Sequence, residues 1–126
     1  MNLHEYQGKN LLNDFNVSIQ RGYVAYSPKE AVECAKKLSE ETGTSIFVIK
    51  AQIHAGGRGK GGGVRIAKSL DEVEKISSEI IGMKLITPQT SKEGKLVRKV
   101  LVAEDVYYNG NSDRKEFYIS VLLNRS

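Results

Sequence analysis

The sequence predicts an α/β (α+β) fold, and three observations carry that prediction. Three stretches open on capping signals and continue with apolar residues at helical spacing. Between them lie short runs rich in valine, isoleucine and tyrosine, the composition of strands. A glycine-rich segment then joins two such runs directly, strand to strand. The 126 residues are one domain's worth by length. Read in order, the elements are α, β, α, β, loop, β, α, β, β.

The first helix is expected from Asn2 to Phe15. Asn2 can cap it, and Glu5 stands three residues on, as in a capping box. Leu3, Leu11, Leu12 and Phe15 offer its apolar stripe. Tyr23-Val24-Ala25-Tyr26, after Gly22, reads as a short strand. Ser27-Pro28-Lys29-Glu30 is a stronger helix start, with Ser27 as cap and Pro28 at the first helical position. Ala31, Ala35 and Leu38 recur at helical spacing, and Gly43 ends the helix. Cys34 beside them reads as a small packing residue, since no histidine lies near it in sequence.

Ile46-Phe47-Val48-Ile49 is continuously apolar and reads as a central strand with Lys50 at its end. Val64-Arg65-Ile66-Ala67 alternates in period two and reads as the next strand. Ser69 then caps a third helix with the apolar face Val73, Ile76, Ile80 and Ile81, stopped by Gly82. Pro88 to Gly94 is turn-like. Lys99 to Val106 and Glu116 to Leu123 read as two strands connected through Asn109 to Asp113.

The chemistry concentrates in residues 49–67. Six of the 12 glycines fall between Gly56 and Gly63, with Arg58 and Lys60 among them. No acidic residue occurs between Glu41 and Asp71. Glycines let a main chain approach a ligand closely, and successive free N–H groups make an anion-binding concavity. Cations without local acidic partners suit the same ligand, a phosphate chain. Gly57 to Gly62 satisfies G-x-G-x-x-G, but the dinucleotide fingerprint must open a helix, and here a strand follows. The Walker A pattern fails because Gly61 follows Lys60. A glycine-rich strand-loop-strand is similar instead to the flap over nucleotide phosphates in kinase-like and ATP-grasp folds. The competing readings are a flexible surface loop and a basic RGG-like tract.

The totals narrow the classes. Net charge is +4, which permits a polyanionic partner without requiring one. One cysteine excludes an internal disulfide and a cysteine-based zinc site. No secretory signal and no membrane-spanning run is visible, so the expected location is cytoplasmic. A single-strand nucleic-acid binder needs aromatic stacking platforms, and none occurs between Phe47 and Tyr107.

The opening MNLHEYQGKNLL, the segment VIKAQIHAGGRGKGGGV and the later KEFYISVLLNRS together resemble the β-subunits of succinate–CoA ligases (succinyl-CoA synthetases). The resemblance spans the chain. It implies an ATP-grasp fold, with residues 1–21 as the opening helix and crossover of the larger lobe. Residues 22–126 would form the small lobe over the nucleotide, truncated at its C-terminal end. Carried over by position, Lys50 would contact the nucleotide phosphates, and Gly57, Arg58 and Gly59 would cover them. Glu116 would bond the ribose hydroxyls, as a carboxylate acceptor can. The family's hinge glutamate falls at Ala103, so Glu104 is the substitute one residue on, and Val106 matches a further hinge contact. Gln20 stands where GTP-preferring relatives carry glutamine.

The resemblance further implies ATP or GTP as nucleotide, CoA as substrate and an α-subunit partner that carries the phosphorylated histidine. It places the Mg2+ ligands beyond Ser126, so neither a metal ligand nor a catalytic residue is expected here. His4 and His54 are accordingly not phosphoryl carriers, and His54 is read as orienting the loop. The chain alone is expected to be inactive as a ligase and at best a weak nucleotide binder. Three alternatives stand beside this reading: a related malate–CoA or citrate-cleaving ligase, a basic nucleic-acid-binding module, and a structural fragment with no ligand.

Overall fold

A computed structural model describes residues 2–107 and 112–125. Its elements are α1 (Glu5–Asp14), β1 (Gly22–Ala25), α2 (Pro28–Thr42), β2 (Phe47–Ala51), β3 (Val64–Ala67), α3 (Leu70–Ile80), β4 (Lys84–Leu85), β5 (Lys95–Leu96) and β6 (Val100–Glu104). Four strands form an antiparallel sheet in the order β1-β6-β2-β3, and β4 and β5 pair as a separate hairpin. Residues alternate between the faces of a strand, so β2 divides cleanly. Phe47, Ile49 and Ala51 enter the core with Val100 and Val102 of β6. Ala31, Ala35 and Leu38 of α2 and Val73, Ile76 and Ile80 of α3 cover that face. Lys50, paired with Leu101, belongs to the opposite face.

The helix signals act as expected in α2 and α3. The Ser27 hydroxyl accepts from the Glu30 amide at 3.2 Å, and the Ser69 hydroxyl from the Glu72 amide at 3.1 Å. Each glutamate reaches back in turn to the amide of the residue before the cap. Gly43 closes α2 in the left-handed region, at φ 73°.

Three expectations need correction. The cap of α1 is His4 rather than Asn2, and its amide donates to Gln7 Oε1 at 2.8 Å. Glu5 is drawn instead into an ion cluster, and Leu3, Leu11, Leu12 and Phe15 are exposed, so the apolar stripe does not join the core. Secondly, Glu116 to Leu123 forms no strand. Both edges of β6 are already hydrogen-bonded, to β1 and β2, and a following segment has no edge there to join. Phe117, Tyr118, Ile119, Val121, Leu122 and Leu123 are exposed as a result. Of the proposed Asn109–Asp113 connection, residues 109–111 lie outside the described residues. Finally, the β4–β5 hairpin was not expected, because strands of two residues are too short to show a period. Among the described residues no helix is long and apolar enough to cross a membrane.

Candidate phosphate-binding site

Residues 52–63 connect β2 to β3 as a braced arch. The Ala51 amide donates to the Gly63 carbonyl at 2.7 Å. The Arg58 carbonyl accepts from the amides of Gly61 and Gly63, at 3.2 and 2.8 Å. The Gly56 amide donates to Gln89 Oε1 at 2.7 Å, and Lys95 Nζ to the His54 carbonyl at 3.2 Å. Gly61 lies so close to the hairpin that a Cβ there would sit 2.3 Å from the Ile86 carbonyl oxygen. These contacts set aside the flexible-loop reading. The amides of Gly57, Arg58 and Gly59 are among those left over. No hydrogen bond among the described residues uses them.

Beneath this free stretch the cations converge on one carboxylate. Glu5 Oε1 accepts from Lys50 Nζ at 3.0 Å and lies 3.3 Å from Lys9 Nζ. Glu5 Oε2 lies 2.8 Å from Arg58 Nη2. Arg58 Nη1 donates to the Ala51 carbonyl at 2.8 Å, which folds the side chain back under its own loop. Gln20 Oε1 accepts from Lys50 at 3.0 Å and from Lys9 at 2.9 Å. Burial alone pushes the Glu5 carboxyl up, but Lys50 first, then Arg58 and Lys9, outweigh it and bring it down to about 2. Lys9 is lowered, by its own burial and by the charge of Lys50. Three cations around one anion leave net positive charge in a cluster that includes the loop's Arg58, chemistry suited to an anion.

A recess of about 360 Å³, lined among others by Glu5, His54, Gly56, Arg58 and Gln89, opens between the start of α1 and the loop. His54 stacks on His4 with ring centroids 3.8 Å apart, tying the loop's first residues to α1. His4 titrates below its ordinary value, from burial first and then from His54, Lys99 and Arg58. A roomier recess of about 580 Å³ lies along α2, but Glu30, Glu33 and Glu74 line it. Its acidity makes it the wrong place for a polyanion. Cys34 borders that recess, and its thiol is raised, by burial first.

The remaining sequence-derived positions are less closely gathered. Ala103 is fully buried in β6 opposite Gly22 and Val48, so its side chain offers nothing to a ligand. The Glu104 carboxylate accepts from the Arg21 amide at 2.9 Å, while its carbonyl accepts from Gln20 Nε2. Gln20 thereby links Lys50 to the end of β6, and both ends of its amide are engaged. Val106 and Glu116 share a separate surface recess with Tyr107, Arg114 and Lys115. Arg65 turns away to pair with Glu79.

Sequence reasoning missed Glu5, Lys9 and Gln52 as members of this site. The Gln52 side chain accepts from the Tyr6 amide at 3.2 Å and donates to Glu5 at 3.4 Å. Glu5 lies 45 residues from Lys50, so no local pattern joins them. The one available signal was the lack of any acid from residue 42 to residue 70, which obliged a half-buried lysine to find its counter-ion elsewhere. Glu5 is engaged by three cations, and the recess offers no donor set that fits a divalent metal.

Comparison with known proteins gives a consistent result. Residues 2–126 match the family described as ATP-grasp domain. The chain is 69% identical over 126 residues to the succinate–CoA ligase [ADP-forming] subunit beta of Flavobacterium psychrophilum, covering 100% of this chain and 32% of that protein. It is 68% identical over 126 residues to the same subunit of Christiangramia forsetii, again covering 100% of this chain and 32% of the relative. The chain thus spans about a third of the length of the curated relatives it matches. Among solved structures, phosphoribosylamine–glycine ligase from Thermotoga maritima superposes with a TM-score of 0.57 at 28% identity, covering 84% of this chain and 23% of that one.

Proposed function

The chain belongs to the ATP-grasp family, and on that premise we propose that it is the nucleotide-holding N-terminal part of a succinate–CoA ligase β-subunit. The whole enzyme would join succinate to CoA as a nucleoside triphosphate becomes NDP and phosphate, with a cytoplasmic α-subunit as partner. Identity of 69% to a subunit of that name supports the reading. The observation that carries it is the meeting of Lys50 and Arg58 on Glu5, with Arg58 borne by the loop whose amides at Gly57, Arg58 and Gly59 are unbonded. Phosphoryl transfer needs such positioning and charge neutralisation more than covalent chemistry from the protein. Lys50 supplies a point charge, and the loop amides supply direction.

In this proposal the base lies toward the end of β6, at Ala103, Glu104 and Val106. Ala103 would contribute through its backbone neighbourhood alone. Glu116 would hold the ribose once the exposed segment 112–125 folds over the recess. The printed name of the relatives, ADP-forming, favours an adenine nucleotide. Gln20 points the other way by position, toward GTP, but its amide is committed to Lys9, Lys50 and Glu104 and decides nothing about the base. Any Mg2+ accompanying the nucleotide would take its protein ligands from outside this recess.

Calorimetric titration with Mg-ATP and Mg-GTP, beside a Lys50→Ala variant, tests the proposal. Binding that prefers ATP and weakens about tenfold or more in the variant is expected. Binding that is unchanged in Lys50→Ala would overturn it.

A further inference from the structure

We propose that Glu5 is a positioning residue for the nucleotide phosphates: carried on α1, it sets Lys50 and Arg58 side by side under the glycine loop. The inference rests on the nucleotide reading above and adds to it a residue that never touches the ligand. Its basis is geometric. Lys50 projects from β2 and Arg58 from the loop, and each meets a different oxygen of one carboxylate, at 3.0 and 2.8 Å. Two cations brought this close repel each other unless an anion stands between them. No residue between 42 and 70 can be that anion.

The donor count shows that the arrangement leaves room for a ligand. An ammonium has three N–H groups, and Glu5 and Gln20 take two of those on Lys50. The third is left with a fixed direction. A guanidinium has five, and Arg58 commits Nη1 to the Ala51 carbonyl and Nη2 to Glu5. The remaining donors stay available under the amides of Gly57 to Gly59. A helix glutamate that clamps a strand lysine beneath a glycine-rich flap is also how protein kinases hold their phosphate-contacting lysine. The folds differ, but the electrostatic problem is the same.

An alternative consequence of the same contacts is that Glu5 competes with phosphate for the two cations. The two have opposite signs. A positioning role predicts that Glu5→Gln, which keeps volume and removes charge, weakens binding of inorganic tripolyphosphate and of ATP by about tenfold or more. Competition predicts tighter binding. Because α1 buries no residue, Glu5→Gln is expected to keep the core, checked by circular dichroism and the thermal midpoint. The decisive readout is a double-mutant cycle with Lys50→Ala. If Glu5 acts through the two cations, Glu5→Gln costs clearly less in the Lys50→Ala background, where only Arg58 is left to position, and less than about twofold once Arg58→Ala is added. Equal loss in both backgrounds marks a merely structural role and overturns the inference, as does unchanged or tighter binding in Glu5→Gln alone. If Lys50→Ala itself leaves binding unchanged, the nucleotide reading fails first, and the two failures are told apart. Should Glu5→Gln not fold, Gln20→Leu removes the other acceptor on Lys50. Its expected loss is about threefold and vanishes in the Lys50→Ala background, and a loss that persists there overturns the inference.

Discussion

Two helices of this chain are held in opposite ways. Helix α2 lays Ala31, Ala35 and Leu38 into the core, and each is fully buried. Helix α1 buries no residue at all. It is fastened through its first turns, by the Glu5 ion cluster, the His4–His54 stack, the Lys9–Gln20 bond and the Tyr6 amide on Gln52. Apolar burial is non-directional and involves no titrating group or bound ion. A charge cluster depends on both. The attachment of α1 and the readiness of the cations for phosphate are therefore one property, while α2 belongs to the scaffold.

The largest expected effect that would sharpen this contrast is in α2. Leu38→Ala removes a fully buried side chain from beneath the sheet and leaves a cavity. A loss of about 2–5 kcal/mol in denaturant unfolding is expected. A loss of under about 1 kcal/mol would mean that α2 is not the scaffold helix described here.

Acidification should do the reverse, releasing α1 while α2 holds. The Glu5 carboxyl titrates near 2, below its ordinary value of 4.5. A carboxylate with a depressed pKa contributes stability that is present above its unfolded value and lost as pH falls toward the folded one. The window is thus pH 4.5 down to about 2. His4, also lowered, acts in the same direction from its ordinary 6.5 downward, because the fold prefers its neutral form. Part of the cluster faces solvent, so the Glu5 contribution is on the order of 1–2 kcal/mol, less than the shift alone implies. An NMR pH titration should show the α1 amides moving before those of α2. Simultaneous loss of both helices would erase the distinction.

The same division governs what could be read in advance. Helices α2 and α3 were legible because capping residues and apolar spacing are local signals, within four residues of each other. Strands β2, β3 and β6 were legible as apolar or alternating runs. The loop was legible by composition, and the resemblance singled out Gly57, Arg58 and Gly59 within it. What stayed hidden depends on partners far along the chain. Glu5 looked like a helix cap, since nothing within 45 residues announced its link to Lys50. The Glu116–Leu123 run has strand composition, yet composition does not reveal that β6 is already paired on both edges. The β4–β5 hairpin, against which the loop leans, is too short to carry a period.

The smallest expected effect tests α1 from its apolar side. Phe15 is 75% exposed and Leu11 51%, although the sequence places both on the apolar stripe of α1. If polar contacts alone fasten this helix, Phe15→Ala changes unfolding free energy by no more than about 0.5 kcal/mol, the usual range for a surface position. Leu11→Ala should behave alike, apart from a slight gain in helix propensity. A loss above about 2 kcal/mol, the size of a buried aromatic, would show that the helix packs this face on something in solution. The residues opposite it would then share with Glu5 the task of holding α1 over Lys50.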